Sequence, residues 1–183
     1  MRWLNRPPEW DVTDGVLTAV TGDRTDFWRE TFYGFVRDDG HVYGLDVEGV
    51  FTAEVTFSGD YETLYDQLGL MVRVDDGNWV KAGVEFTDGV PHLSAVVTHG
   101  VSDWSVVRPA DTGGEFTLRL VRRYDSVQIQ YRDGDGWQML RMGPLVPAER
   151  AFVGLMCCSP QRAGFRARFR DFTVTGEAPE GLH

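Results

Sequence analysis

Short runs of alternating apolar and polar residues recur along the chain, separated by turn-forming dipeptides. In 69–74, Leu70, Val72 and Val74 point one way, and Met71 and Arg73 the other. In 79–86, Val80, Ala82, Val84 and Phe86 oppose Trp79, Lys81, Gly83 and Glu85. In 116–123, Phe116, Leu118 and Leu120 oppose Thr117, Arg119, Val121 and Arg123; in 127–132, Val127, Ile129 and Tyr131 oppose Gln128, Gln130 and Arg132. A period of two sends successive side chains to opposite faces of a strand, so each run has one dry and one wet face. Antiparallel strands in stacked sheets have that pattern.

The same reading predicts strands over 16–20, 31–36, 41–47, 51–57, 68–74, 79–86, 92–98, 116–122, 126–132, 137–142, 151–157 and 165–174. Asp39-Gly40, Asp76-Gly77, Asp88-Gly89 and Gly134-Asp135-Gly136 are among the dividers, at the spacing of a sandwich or barrel. Asp75-Asp76-Gly77-Asn78 reads as a hairpin turn in which Gly77 supplies a positive φ. A single turn of helix is expected at 61–67. The Pro7-Pro8 stretch and residues 177–183 are expected to be loose ends.

The chain has 183 residues, about the length of one domain, and 1–183 reads as one domain with its core over about 10–175. The formal net charge of -10 repels phosphate backbones and anionic membranes, which argues against nucleic-acid and membrane partners. No run of about 18 apolar residues and no leader-like segment is present, so a cytoplasmic protein is expected. The adjacent Cys157 and Cys158 read as two thiols on a buried strand in a reducing compartment. His41, His92, His99 and His183 lack metal-ligand spacing, and neither metal nor cofactor is expected.

Five segments carry a family resemblance: TDFWRETFYGF (25–35), GHVYGLDVEGVF (40–51), YETLYDQLGLMVRVDDGNWVKAGVEF (61–86), LSAVVTHGVSDWSV (93–106) and VGLMCCSP (153–160). Together they resemble the bacterial and fungal regulation-of-enolase-like proteins of unknown function, within the concanavalin A-like lectin/glucanase superfamily. The resemblance covers roughly 10–175. It implies an all-β fold, a two-sheet antiparallel jelly-roll sandwich with one concave face, and it implies no activity.

On such a fold the wet sides of the strands line the concave sheet. Trp79, Lys81 and Glu85 would then offer an indole platform beside polar groups, the mixture a saccharide needs for its apolar C–H patches and its hydroxyls. Asp66 and Gln67 stand just before the neighbouring run, Arg73 and Met71 lie on it, and Ser94 and Thr98 extend the face on the next. Trp79 is expected to stack, Glu85 and Asp66 to accept hydrogen bonds, and Lys81, Gln67 and Arg73 to donate them. The plainer reading is a solvated sheet face. Trp28, Arg29 and Tyr33, and Asp103 and Trp104 in a turn-like SDWS loop, read as core or loop anchors rather than as a ligand clamp. Trp3, Trp10 and Trp137 read as structural. Arg166, Arg168 and Arg170 form a stripe that a wet convex face explains.

Two other classes compete. A retaining glycosidase needs two carboxyls about 5–5.5 Å apart. The alternating three-carboxylate strand motif of glucanases is absent, and Asp46-Val47-Glu48 lacks the third acid. Asp66 with Glu85 is the pair such an enzyme would use. The third class is a protein-interaction module that regulates a metabolic enzyme, with a homodimer through an open sheet as a variant.

Overall fold

The computed structural model describes residues 1–110 and 113–181; His183 falls outside them. Its strands in the first half are β1 (Arg2–Leu4), β2 (Glu9–Thr13), β3 (Val16–Val20), β4 (Phe27–Arg29), β5 (Val36–Asp38), β6 (His41–Glu48), β7 (Phe51–Gly59) and β8 (Gln67–Asp75). There follow β9 (Asn78–Thr87), β10 (Val90–His99), β11 (Val101–Val107), β12 (Phe116–Arg122), β13 (Ser126–Asp133), β14 (Gly136–Pro144), β15 (Arg150–Cys158) and β16 (Arg166–Thr175).

Two seven-stranded sheets result, one ordered β1-β6-β15-β8-β9-β10-β11 and the other β14-β13-β12-β7-β16-β3-β2. All their pairings are antiparallel. The arrangement is a two-sheet jelly-roll-type sandwich. Its core is built from the dry side of each alternating run: Leu70 and Val72 of β8, Val80, Ala82 and Val84 of β9, Leu118 and Leu120 of β12, and Val127 and Ile129 of β13 are all buried together. Each of the Val, Leu and Ile side chains contributes roughly 1.5–3 kcal/mol if fully removed from water, and Ala82 less.

Four local expectations fail for physical reasons. Residues 31–36 are not a strand. The chain turns there, with Glu30, Phe32 and Gly34 at positive φ, and the strands are the flanking β4 and β5. Residues 61–67 hold no helix, because the Asp66 carboxylate captures the backbone N–H groups of Glu62 (3.1 Å) and Thr63 (3.0 Å), and Tyr65 sits at φ 68°. Such local capture competes with helical hydrogen bonding. Gly77 has no positive φ; the Asp75 carboxylate holds that turn by accepting from the Gly77 N–H (2.9 Å) and the Asn78 amide (2.8 Å). Asp88-Gly89, both at positive φ, make the tight two-residue hairpin between β9 and β10 instead. SDWS is no loop but the middle of edge strand β11.

The N-terminal stretch is also not loose. Trp3 packs edge-on to Trp10 (5.6 Å between centroids) and against Tyr43 (5.0 Å). The buried His41 ring ties the region together, accepting from the Gly22 N–H at Nε2 (3.0 Å) and facing the Asn5 carbonyl through Nδ1 (2.6 Å). Burial holds its pKa below the ordinary histidine value.

On the outer face of the first sheet, Gly44 lies opposite Gly154 and Gly69 opposite Gly83. A Cβ on Gly83 would stand 1.9 Å from the Leu68 carbonyl oxygen, and one on Gly44 2.3 Å from that of Val153. The strand backbones pass too closely there for any side chain, a use of glycine specific to close backbone approach. Gly83→Ala should therefore destabilise the fold by about 1–3 kcal/mol, as overpacking does, read as a lower midpoint in urea unfolding.

Candidate functional site

The outer face of the first sheet is half covered by the segment 21–40, which carries the β4–β5 hairpin. This strap is tied down along its length. Thr21 exchanges backbone hydrogen bonds with Phe165 and Gly164, Thr25 bridges to Ser159, and the Arg29 N–H donates to Ser102 Oγ (2.9 Å). The Asn5 amide donates to the carbonyls of Asp38 (2.8 Å) and Gly40 (2.9 Å). Under the strap a second apolar cluster forms from Phe27, Trp28, Met71, Trp79, Val96, Phe152, Met156 and Cys158.

Trp79 lies in that cluster. It does emerge on the same face as Lys81 and Glu85, as the alternation requires, but it is 0% exposed, with Phe27 edge-on at 6.0 Å. The expected stacking platform is thus a buried strut, because a non-local segment lies over it. Arg73 is likewise taken: it makes a two-pronged pair with Asp38 of β5 (2.5 and 2.9 Å) and clamps the strap rather than facing a ligand. Thr98 bonds Ser102 (2.9 Å) beneath the same cover.

Asp66 is fully buried as well. Beyond the two backbone donors, it accepts from Ser159 Oγ (2.7 Å) and Arg162 Nη2 (2.7 Å). With both oxygens occupied, it braces the turn before β8 and does not line the cavity. The carboxyl pair Asp66 and Glu85 is not brought together in one site.

The uncovered half of the face holds a cavity of about 230 Å³. Its floor is Gln67 of β8, Lys81 and Glu85 of β9 and Val96 of β10; its walls are Trp28, Tyr33 and Phe35 of the strap with Tyr65 and Trp104. Arg24 and Arg37 stand at the mouth, and Asp26 reaches in from the strap. Of the six residues expected to bind, the structure brings Gln67, Lys81 and Glu85 to this cavity and leaves Trp79, Asp66 and Arg73 outside it.

Trp28, Tyr33 and Trp104, read from the sequence as anchors rather than as a clamp, do line the cavity. Asp26 and Tyr65 carry no sequence signal of their own; the nearest sign is the aromatic density of TDFWRETFYGF, which lacks period-two order.

The floor is electrostatically unusual. Lys81 Nζ donates to Asp26 Oδ1 at 2.9 Å, with both side chains almost or largely out of solvent. Burial pulls the Lys81 pKa down, but the charge and hydrogen bond of Asp26, together with the nearby Cys158 and Glu85, outweigh it and the pKa is raised. Glu85 is 4% exposed. Burial pushes its pKa up to about 7; Lys81 opposes that shift and the nearby charge of Asp26 adds to it. Among the described residues the one hydrogen-bond donor on Glu85 is Ser94 Oγ, at 3.5 Å, and that hydroxyl in turn accepts from Trp104 Nε1 (3.3 Å). Tyr65 shares a hydroxyl–hydroxyl bond with Tyr33 (3.0 Å), which, ahead of burial, pushes its pKa up to about 12.

The two cysteines point to opposite faces of β15, Cys157 into the main core and Cys158 into the cluster under the strap. Both are free and buried, and burial pushes the Cys157 thiol up to about 12.

With this geometry in place, the comparisons identify the lineage. A family model described as "Protein of unknown function (DUF1349)" matches residues 3–177. The chain belongs to that family. It is 42% identical over 182 residues to "Regulation of enolase protein 1" of Saccharomyces cerevisiae, covering 99% of this chain and 92% of the relative. A crystal structure of a functionally unknown protein from Saccharomyces cerevisiae superposes with a TM-score of 0.93 at 42% identity, covering 97% of each chain. The carbohydrate-binding module CBM66 from Bacillus subtilis shares the fold at a TM-score of 0.59 and 14% identity, over 94% of each chain. No helix among the described residues is long and apolar enough to cross a membrane.

The Glu85 carboxyl holds its proton to higher pH when folded, up to about 7, than an unfolded glutamate does. Its contribution to stability is complete below the ordinary glutamate range and is lost as pH rises through the folded value. Glu85→Gln should remove that slope, so the variant gains on the parent between pH 4 and pH 8 by on the order of 1–3 kcal/mol, at about 1.4 kcal/mol per pKa unit. Urea melts of both proteins at the two pH values measure it.

Proposed function

We propose that this chain binds a small saccharide-like ligand in the cavity on its concave face. The observation that carries the reading is the pairing of an aromatic wall, with Trp28 and Trp104 among its members, and a buried polar floor of Gln67, Lys81 and Glu85. Indole faces suit the apolar patches of a pyranose ring, and the floor supplies donors and acceptors for its hydroxyls. A largely preformed, mostly apolar hollow with a few convergent polar groups is the usual form of a small-molecule site. The fold shared with a carbohydrate-binding module supports the reading at the level of architecture. The stacking role expected of Trp79 passes to the ring of Trp104, 40% exposed at the rim. Hydrolysis by Asp66 and Glu85 receives no support, since Asp66 is sealed under Arg162. The buried free thiols fit a reducing compartment.

One feature favours a second reading, in which a protein partner covers the mouth. Phe32, at the tip of the strap, is 93% exposed, and Tyr33 and Phe35 beside it are also open. A regulatory partner would suit the name carried by the yeast relative.

The test is intrinsic fluorescence titrated with a wide panel of mono- and disaccharides. At least one should change the emission saturably. Trp104→Ala should weaken that sugar roughly tenfold, about 1.4 kcal/mol, with its melting curve unchanged. A flat response to every member of the panel would sink the saccharide reading and leave the partner reading.

A further inference from the structure

Building on the saccharide reading, we propose that the ligand is a sugar acid whose carboxylate rests on the cavity floor, taking hydrogen bonds from Glu85 as a neutral carboxylic acid and from Lys81. Glu85 is buried in the lining, and its one donor among the described residues, Ser94 Oγ, stands at the 3.5 Å limit. An ionised carboxylate so weakly solvated is costly, while the neutral acid is not and turns the group from an acceptor into a donor. Lys81 commits one hydrogen to Asp26 and has two more. Gln67 gives one amide hydrogen to the Tyr65 carbonyl (3.2 Å) and has another. Against these donors the floor sets the Gln67 amide oxygen, the carbonyl oxygen of the Glu85 carboxylic acid and the Asp26 carboxylate, whose Oδ1 is already engaged by Lys81 and the Phe27 N–H. A ligand carrying a charged acceptor complements these donors, and a carboxylate is one of the strong acceptors a saccharide can carry.

Charge points the same way. The groups around Glu85 are Lys81 on its own strand, His92 opposite it on β10, Asp26 on the strap, Tyr65 before β8, and Arg24 and Arg37 at the mouth. Tyr65 is neutral, and burial lifts Glu85 into the neutral range. The lining then carries three cations against the single carboxylate of Asp26, within a chain of formal net charge -10. Arg24 and Arg37 also hold the exposed Asp23 and Asp39, so they steer an anion through the mouth more than they grip it. A cationic ligand would meet Lys81, and a neutral sugar would leave the charge unused.

Calorimetric titration of the full chain with D-glucuronate, D-glucose and methyl glucoside at pH 6 and pH 8.5 tests this. Glucuronate should bind roughly tenfold or more tightly than glucose at pH 6, the gain of about one charge-assisted hydrogen bond. That preference should collapse at pH 8.5, where Glu85 ionises and repels the ligand. In Glu85→Gln, whose amide still donates, the preference should persist at both pH values; thermal melts confirm that this variant folds. Glucose equal to or tighter than glucuronate at pH 6, or uronate affinity that rises with pH, overturns the sugar-acid assignment while leaving the saccharide pocket standing. Failure of all three to bind also overturns it, and the wider fluorescence panel then decides the pocket by itself.

Discussion

The ion pair between Lys81 and Asp26 joins the two parts from which the site is made. Lys81 grows from the middle of a central strand, and Asp26 from the strap that crosses it. Two charges taken from water cost several kcal/mol each, and only close contact with further hydrogen bonds offsets that. Those bonds are present. The Asp26 Oδ1 also accepts from the Phe27 N–H (2.8 Å), its own N–H donates to Asp39 Oδ1 (2.8 Å), and its carbonyl accepts from the N–H groups of Asp39 and Gly40. The pair thereby fixes the base of the hairpin over the sheet. With the Arg73–Asp38 pair and the Arg29–Ser102 bond, it holds the strap above Trp79 and with it the strap's share of the cavity wall.

The same pair decides the chemistry beside it. One ammonium faces two carboxyls in a region poor in water. Asp26 takes the short contact, at 2.9 Å, and Glu85, farther along β9, retains its proton into the neutral range. Burial is the main cause of the Glu85 shift, with Lys81 opposing it and the charge of Asp26 adding to it. The cation also lies 5.9 Å from the Trp79 ring, so the buried indole supports its charge from below.

Much of this architecture was written in the period-two runs. Where Val80, Ala82 and Val84 alternate with Trp79, Lys81 and Glu85, the side each residue takes follows from pleating alone, and the structure agrees residue by residue. What alternation cannot convey is whether a face meets water or another segment. Trp79 and Glu85 sit on one face of one strand, yet the first is roofed by residues some fifty positions earlier and the second opens on a cavity. Asp66 shows the same limit at closer range. Its neighbours in sequence suggested a free carboxylate at a strand end, but Arg162, distant in the chain, closes over it. The strap was misread because its strands have only three residues each, too few for periodicity to register.

The floor is made of central strands and most of the wall of one strap, and the two are joined through Lys81–Asp26 and Arg73–Asp38 at the base of the strap. The floor residues are locked by cross-strand partners and by close-packed glycine backbones, where almost any replacement disturbs the sandwich. The turn at 30–35 carries lighter ties: Phe32 is open to solvent, while Tyr33 and Phe35 stack on each other and Tyr33 bonds Tyr65. Substitutions in that turn would therefore reshape the size and outline of the entrance while leaving the proton and charge arrangement beneath it in place. Such changes would alter which shapes the cavity admits without unsettling the sandwich.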